Sequence, residues 1–400
     1  MTRILVGTLA LALIACGSER SAERHGFVTL LGHDTVAVEA VARRGDTLTV
    51  ESVDQWPLVQ RRHTRIELAS DGTIRHFVME ISAPNAPKAK DRERRVSADF
   101  TPDSIHVVSR DGNGDHPFAF ATEGLVSMPH VPQSYALTER TIAAALERGR
   151  ATKLAPGDSV MFHQFYPDFD VSRFPLHDGF VHPLADGTVK LWHDWLSGIG
   201  VAKVDSAGRL LSYSGAQSTY KVEMTRTASP PDVEGAATRL LAAEKARGAN
   251  QLSVRDTARG TIGAASFSVD YGRPLARGRT LIPDVIPLDR VWRTGANAAT
   301  QFTTSVPVTL AGIALKAGTY TLWTVPREGG RADLVVNSQT GQWGTGYDDT
   351  FDVGMAALTI EPVTAPVERF TIAVTGADAA HGALTLVWGA FRWTAPIVVR

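Results

Sequence analysis

The chain has 400 residues and one cysteine, Cys16. A single thiol can form neither an intramolecular disulfide nor a multi-cysteine metal site, so burial and hydrogen bonding must hold the fold together. An excess of one charge is also lacking: 41 Lys and Arg face 42 Asp and Glu, a formal net charge of −1, with no long run of either sign. Neutralising a phosphate backbone needs a concentrated basic face, so this balance argues against nucleic acid as a partner. The chain contains no Gly-x-Ser-x-Gly elbow and no phosphate-binding glycine loop, which argues against the commonest nucleophilic and nucleotide-dependent enzymes.

The longest apolar run lies at the start. "MTRILVGTLALALIAC" places Arg3 before an apolar stretch from Ile4 to Ala12, followed by Leu13-Ile14-Ala15-Cys16. The stretch falls short of the roughly 20 residues of a membrane-spanning helix, which favours export over a permanent span. Its end resembles the lipobox of bacterial lipoproteins, which implies cleavage before Cys16 and a diacylglycerol thioether on its sulfur. At about 0.8 kcal/mol per buried CH₂, several acyl chains would anchor the protein firmly. Residues 1–16 are therefore expected to be a signal peptide and 17–26 a polar tether. Gly17 is not the aspartate that retains enteric lipoproteins in the inner membrane, so the outer membrane is the expected anchor.

With 44% hydrophobic residues, the chain can build two cores. From 27 to about 225, two-periodic runs alternate with turn signals such as Arg44-Gly45-Asp46 and Ser70-Asp71-Gly72, which predicts antiparallel hairpins with one buried face. Tyr135, Thr138, Ile142 and Leu146 recur at helical spacing after Ser134, a candidate N-cap, and Gly149 is the expected stop. A long meander with one inserted helix resembles, in architecture only, the half-barrels of periplasmic lipid and lipoprotein carriers. Pro230-Pro231 precede an Ala-rich amphipathic stretch, which predicts a linker helix within 226–249. Runs such as "GTYTLWTV" and "ALTLVWG" predict a C-terminal antiparallel β-sandwich of jelly-roll type over 250–400. The fold class is thus mainly β.

The C-terminal part also carries ordered motifs: Tyr271-Gly272-Arg273-Pro274, Gly278-Arg279, Val291 through Asn297, Ala317 through Tyr320, and Gln342-Trp343-Gly344. These closely resemble the bacterial family called domain of unknown function 2911. The resemblance implies an exported protein with a β-rich domain and assigns no reaction.

In "VWRTGANAAT", Trp292 offers a flat apolar surface, Arg293 a five-donor planar cation, and Asn297 both a donor and an acceptor. Arg273, Arg279 and Trp343 would complete a rim able to grip a carboxylate, phosphate or sugar. The competing reading is a buried clasp in which Arg293 pairs with an aspartate and Asn297 satisfies the Gly295 turn, the commoner use of arginine in such loops. Farther upstream, His163, Asp168, Asp170, His177, His182 and His193 fall within about 30 residues, the groups that a divalent metal or an acid/base pair needs. Their spacing matches no metal helix or calcium loop, so scattered strand-edge histidines are the commoner outcome. The neighbouring aromatics Phe162, Phe165, Tyr166, Phe169, Phe174, Phe180, Trp192 and Trp195 read as core.

Together these features predict a non-enzymatic, lipid-anchored envelope protein that binds a small molecule, a glycan or an envelope partner and needs no cofactor. The alternative is an envelope hydrolase using His163, His177, His182 and His193, with or without a divalent metal. Lipid anchoring is directly testable. Wild-type protein should partition into the detergent phase of a cloud-point extraction, and Cys16→Ser should move it to the aqueous phase; unchanged partitioning of the variant would contradict the anchor.

Overall fold

The computed structural model describes residues 23–55, 58–155, 157–169, 176–193, 198–247 and 252–400. The lipobox with Cys16, tether residues 17–22, Asp170, Phe174 and Trp195 lie outside these described residues. No described helix is long and apolar enough to cross a membrane. The protein is mainly β, as the sequence pattern predicts.

The N-terminal body is one 15-stranded sheet built from two meanders. They meet where the first strand, Glu23–Leu31, pairs with both Asp34–Arg44 and the last strand, Glu223–Thr227. Glu23–Gly26, read above as tether, are therefore already strand. The turns fall at the expected signals: Gly45 and Asp46 join Asp34–Arg44 to Thr47–Gln55, and Asp71 accepts from the Thr73 amide at 3.0 Å. The sheet departs from pure antiparallel order at one place, where Val126–Pro129 runs parallel to Val160–Phe165. Parallel neighbours need a crossover. Helix α1 (Tyr135–Ala151) supplies it, so the predicted inserted helix is the connector of a β-α-β unit and continues two residues past Gly149.

The sheet curls around α1, bringing its two arms into contact. Phe77 and Phe100 of one arm meet Phe165 of the other, with ring centroids 6.4 and 6.2 Å apart. Charge closes the same seam. Arg62, 3% exposed, pairs with Asp54 on its neighbouring strand and with Asp168 at 2.8 Å, and the Arg94 guanidinium donates to the Asp168 carbonyl at 2.7 Å. Removing one partner from a buried pair of this kind typically costs about 3–5 kcal/mol.

Ser134 stands at the N-cap of α1 but makes no capping bond. Its hydroxyl instead donates to Glu39 at 2.7 Å, and the Glu39 carboxylate accepts the otherwise free amides of Tyr135 (2.5 Å) and Ala136 (3.2 Å). On α1 itself, Glu139 accepts from the Leu210 amide at 2.8 Å and from Arg226 at 2.6 Å, tying the helix to the second meander.

Helix α2 (Val233–Arg247) occupies the predicted linker stretch, with Asp232 accepting the Gly235 amide at 2.9 Å. It packs along the N-terminal sheet: Ala236 and Ala237 meet Val38, Val53 and Val59, and Glu244 accepts from the Val59 amide and the Asn85 side chain.

The C-terminal body is a sandwich of two antiparallel sheets. One runs from Ser253–Ile262 to Asp352–Ala357, and the other centres on Phe391–Val399. Phe302, Phe370, Leu386, Trp388 and Trp393 are buried between them.

Burial pushes the Glu39 carboxyl up to about 7 from 4.5, against the hydrogen bonds from Ser134, Tyr135 and Ala136 that favour its charged form. A carboxyl with a raised folded-state pKa takes up protons on folding, so its contribution to stability falls as pH rises from about 4.5 to 7 and is level above that. The span is worth about 3 kcal/mol. Urea denaturation at pH 5 and pH 8 should show Glu39→Gln gaining stability relative to wild type at the higher pH; an equal difference at both pH values would contradict this.

Candidate functional site

The two β-bodies touch through opposed turns. The His33 amide donates to the Arg277 carbonyl at 3.1 Å, and the buried Arg277 guanidinium pairs with Asp34. Gly32, at φ +64°, leaves no room for a side chain, since a Cβ there would stand 2.2 Å from the Arg277 carbonyl oxygen. Beside this contact lies a cleft of about 950 Å³, at the upper end of the range for small-molecule sites. One wall is residues 216–222 with Leu31 and Val36, from the N-terminal body. The other is residues 283–285, 290–293 and 295–297 with Arg279 and Gly344, from the C-terminal body.

The loop holding Trp292, Arg293 and Asn297 is fixed at both ends by the sandwich. Trp292 exchanges backbone hydrogen bonds with Thr324 at 2.8 and 2.9 Å, and Ala298 bridges to Trp343. Buried threonines pin the middle. The hydroxyls of Thr294 and Thr324 lie 2.8 Å apart, and the Thr300 hydroxyl donates to the Thr294 carbonyl at 2.7 Å. A polar clasp is present, but threonines make it.

Arg293 is consequently left over. Among the described residues it has no carboxylate partner, and its one hydrogen bond runs from Nη1 to the Asn297 carbonyl at a long 3.4 Å. The expected buried aspartate is not there. Desolvation lowers its pKa. Gly344 has no side chain because Arg293 crosses it; a Cβ at this position would stand 2.2 Å from Arg293 Cδ. Asn297 sits at φ +64°, which asparagine tolerates better than most residues. Its carbonyl accepts from the Gly344 amide, and its side-chain amide makes no hydrogen bond to a described residue.

The other predicted residues divide. Arg279 lines the cleft and donates to the carbonyls of Ala276 (3.0 Å) and Leu275 (2.7 Å), with burial and nearby Arg277 lowering its pKa to about 10. Trp292 lines it too, stacked on Trp388 with centroids 6.0 Å apart and donating from Nε1 to the Gly295 carbonyl. Arg273 is committed elsewhere: it binds Asp256 at 2.7 Å, the Phe370 carbonyl and the Thr371 hydroxyl, tying the two sheets together. Trp343, 58% exposed, lies outside the cleft lining.

Motif reading missed Lys221. Its ammonium donates to the carbonyls of Ala216 (2.5 Å) and Asp284 (3.3 Å), and burial followed by repulsion from Arg279 and Arg293 lowers its pKa. Only a contact between the two bodies could reveal it, because it lies 58 residues before Arg279 in the chain.

The four predicted histidines are not brought together. Strand registry places His177 and His193 on the inner face of the N-terminal sheet, and His163 and His182 on the outer face. His163 lies 3.2 Å from Asp178, His182 3.1 Å from the Ser159 hydroxyl, and Asp168 belongs to the Arg62 pair. No group of three His, Cys, Asp or Glu among the described residues could hold a metal ion. His193 instead packs 4.6 Å from His130, and desolvation holds both neutral, with His130 lowered to about 3. Among the aromatics, Phe162, Phe165 and Tyr166 are core, whereas Phe180 and Trp192 stack on the outer face.

The family model for DUF2911, a protein of unknown function, matches residues 253–397, which cover the sandwich and every motif residue named above. No curated protein matches the chain. Among solved structures, a DUF1089 family protein from Pseudomonas aeruginosa aligns over 46% of this chain and 93% of its own, at 15% identity and a TM-score of 0.33. That likeness is too low to carry an argument.

Proposed function

We propose that this protein, whose C-terminal sandwich is a DUF2911 domain, is an exported, lipid-anchored envelope protein that binds a small molecule in the cleft between its two bodies without transforming it. The observation that carries this reading is the state of Arg293 and Asn297: a rigid threonine-pinned loop presents both at a cleft, and neither side chain is consumed by the fold. A buried or half-buried cation without a carboxylate is costly and is characteristic of binding sites.

Binding without chemistry is favoured by what lines the cleft. Its described lining holds no imidazole or thiol, and Asp284 is its one carboxylate, so it offers no histidine- or cysteine-based catalytic pair. Concavity favours a small molecule over a flat protein partner or an extended glycan. The N-terminal segment supports export and anchoring, with Gly17 favouring the outer membrane.

Native mass spectrometry of the chain starting at Gly17, which keeps every described residue, purified from a bacterial envelope, tests the reading. A stoichiometric organic adduct that is lost in Arg293→Ala, with the melting temperature unchanged, is the expected outcome. A clean unliganded mass, or an Arg293→Ala variant that simply melts earlier with no adduct to lose, contradicts it.

A further inference from the structure

The charge of the cleft is one-sided although that of the chain is not. Lys221, Arg279, Arg290 and Arg293 line it against a single acid, Asp284, whose backbone carbonyl accepts from Lys221 and whose carboxylate acts on Lys221 without forming an ion pair among the described residues. Lys221, Arg279 and Arg293 come from three separate segments, and none forms an ion pair among the described residues. Elsewhere Arg62, Arg226, Arg255, Arg273, Arg277 and Arg327 meet carboxylates, whereas Arg94, like the cleft cations, is held by carbonyl oxygens. Burial, and after it repulsion from Arg279 and Arg293, depresses the Lys221 pKa, with the Asp284 charge offsetting this in part.

The shape of the missing counter-charge follows from the donors. One guanidinium fork satisfies a planar carboxylate. Donors reaching one cleft from three segments suit a group with oxygens in three directions and up to two negative charges, which is a phosphate monoester or a close analogue. Beside the cations lies an apolar surface: half-buried Trp292, backed by buried Trp388, with half-buried Val285 and exposed Val291 on the same lining. Nε1 of buried Trp323, another lining residue, has no acceptor among the described residues.

We propose that the ligand of this cleft carries a phosphate-type oxyanion on an apolar body, with Lys221, Arg279 and Arg293 receiving the anion and Trp292, Val285 and Val291 receiving the body. The inference rests on the small-molecule reading above and adds the chemical class.

Calorimetric titration of the chain from Gly17 with four probes tests it: dihexanoyl phosphatidic acid below its critical micelle concentration, inorganic phosphate, octanoate and octyl glucoside. Dihexanoyl phosphatidic acid should bind tightest, with inorganic phosphate weaker and octyl glucoside weakest. Lys221→Gln and Arg293→Gln should each weaken the phosphatidic acid by roughly tenfold or more, the scale of one lost charge-assisted hydrogen bond, and leave octyl glucoside unchanged. Arg279, which braces its own loop through two carbonyls, is left intact so that folding is not at issue.

Octanoate binding more tightly than either phosphate would overturn the phosphate assignment. Inorganic phosphate binding as tightly as the phosphatidic acid would overturn the apolar body and point to a free phosphate. Octyl glucoside binding as tightly as the anions, with both variants silent, would overturn the anion while the small-molecule reading stands. No binding by any probe, together with a clean native mass, would sink both.

Discussion

The structure depends on one contact, the meeting of the turn at Gly32 and His33 with the turn at Arg277 and Gly278. Arg277 serves it twice, accepting the His33 amide through its carbonyl and pairing with Asp34 through its guanidinium. Each β-body has its own core, with Leu252 at the start of the C-terminal part packed against the N-terminal one. The cleft, by contrast, belongs to neither. This contact, together with the hydrogen bond from Lys221 to the Asp284 carbonyl, sets residues 216–222 of one body opposite residues 279–297 of the other. Aspartate and arginine suit that task, since an ion pair with one partner buried and the other partly exposed fixes orientation while leaving the carboxylate partly solvated.

Charge is therefore used in two ways. Inside the N-terminal body, Arg62 with Asp54 and Asp168, and Arg226 with Glu139, are satisfied pairs that close the curled sheet and seat α1. At the cleft, Arg279, Arg293 and Lys221 are held, among the described residues, by carbonyls. A carbonyl orients a cation without neutralising it. The site is thus shaped before any ligand arrives, and a ligand does not have to break an ion pair to bind there.

Much of the fold was legible in the sequence because its signals are local. Gly45, Asp71 and the other turn residues mark hairpins, and the spacing of Tyr135, Ile142 and Leu146 marks α1. What was not legible depends on distant partners. The carboxylate capping α1 comes from Glu39, 95 residues before Ser134, while the nearer candidate, Ser134, points its hydroxyl at that carboxylate instead. The parallel pair escaped notice because strand direction leaves no trace in a two-residue period. In the motif, Trp292, Arg293 and Asn297 were recognisable as a unit, but their partners were not: threonine hydroxyls make the clasp where an aspartate was expected. The histidines misled for a geometric reason, since proximity along β-strands alternates between faces and sets His163 and His182 opposite His177 and His193.

The central claim is that one ligand spans both bodies. Hydrogen exchange of the chain from Gly17, compared with and without a small-molecule extract of the bacterial envelope, tests it most directly. The account predicts slower exchange in residues 216–222 and 279–297 together, appearing at the same extract concentration. Protection confined to one body, or appearing on the outer faces of the sheets and not at the cleft, would contradict it.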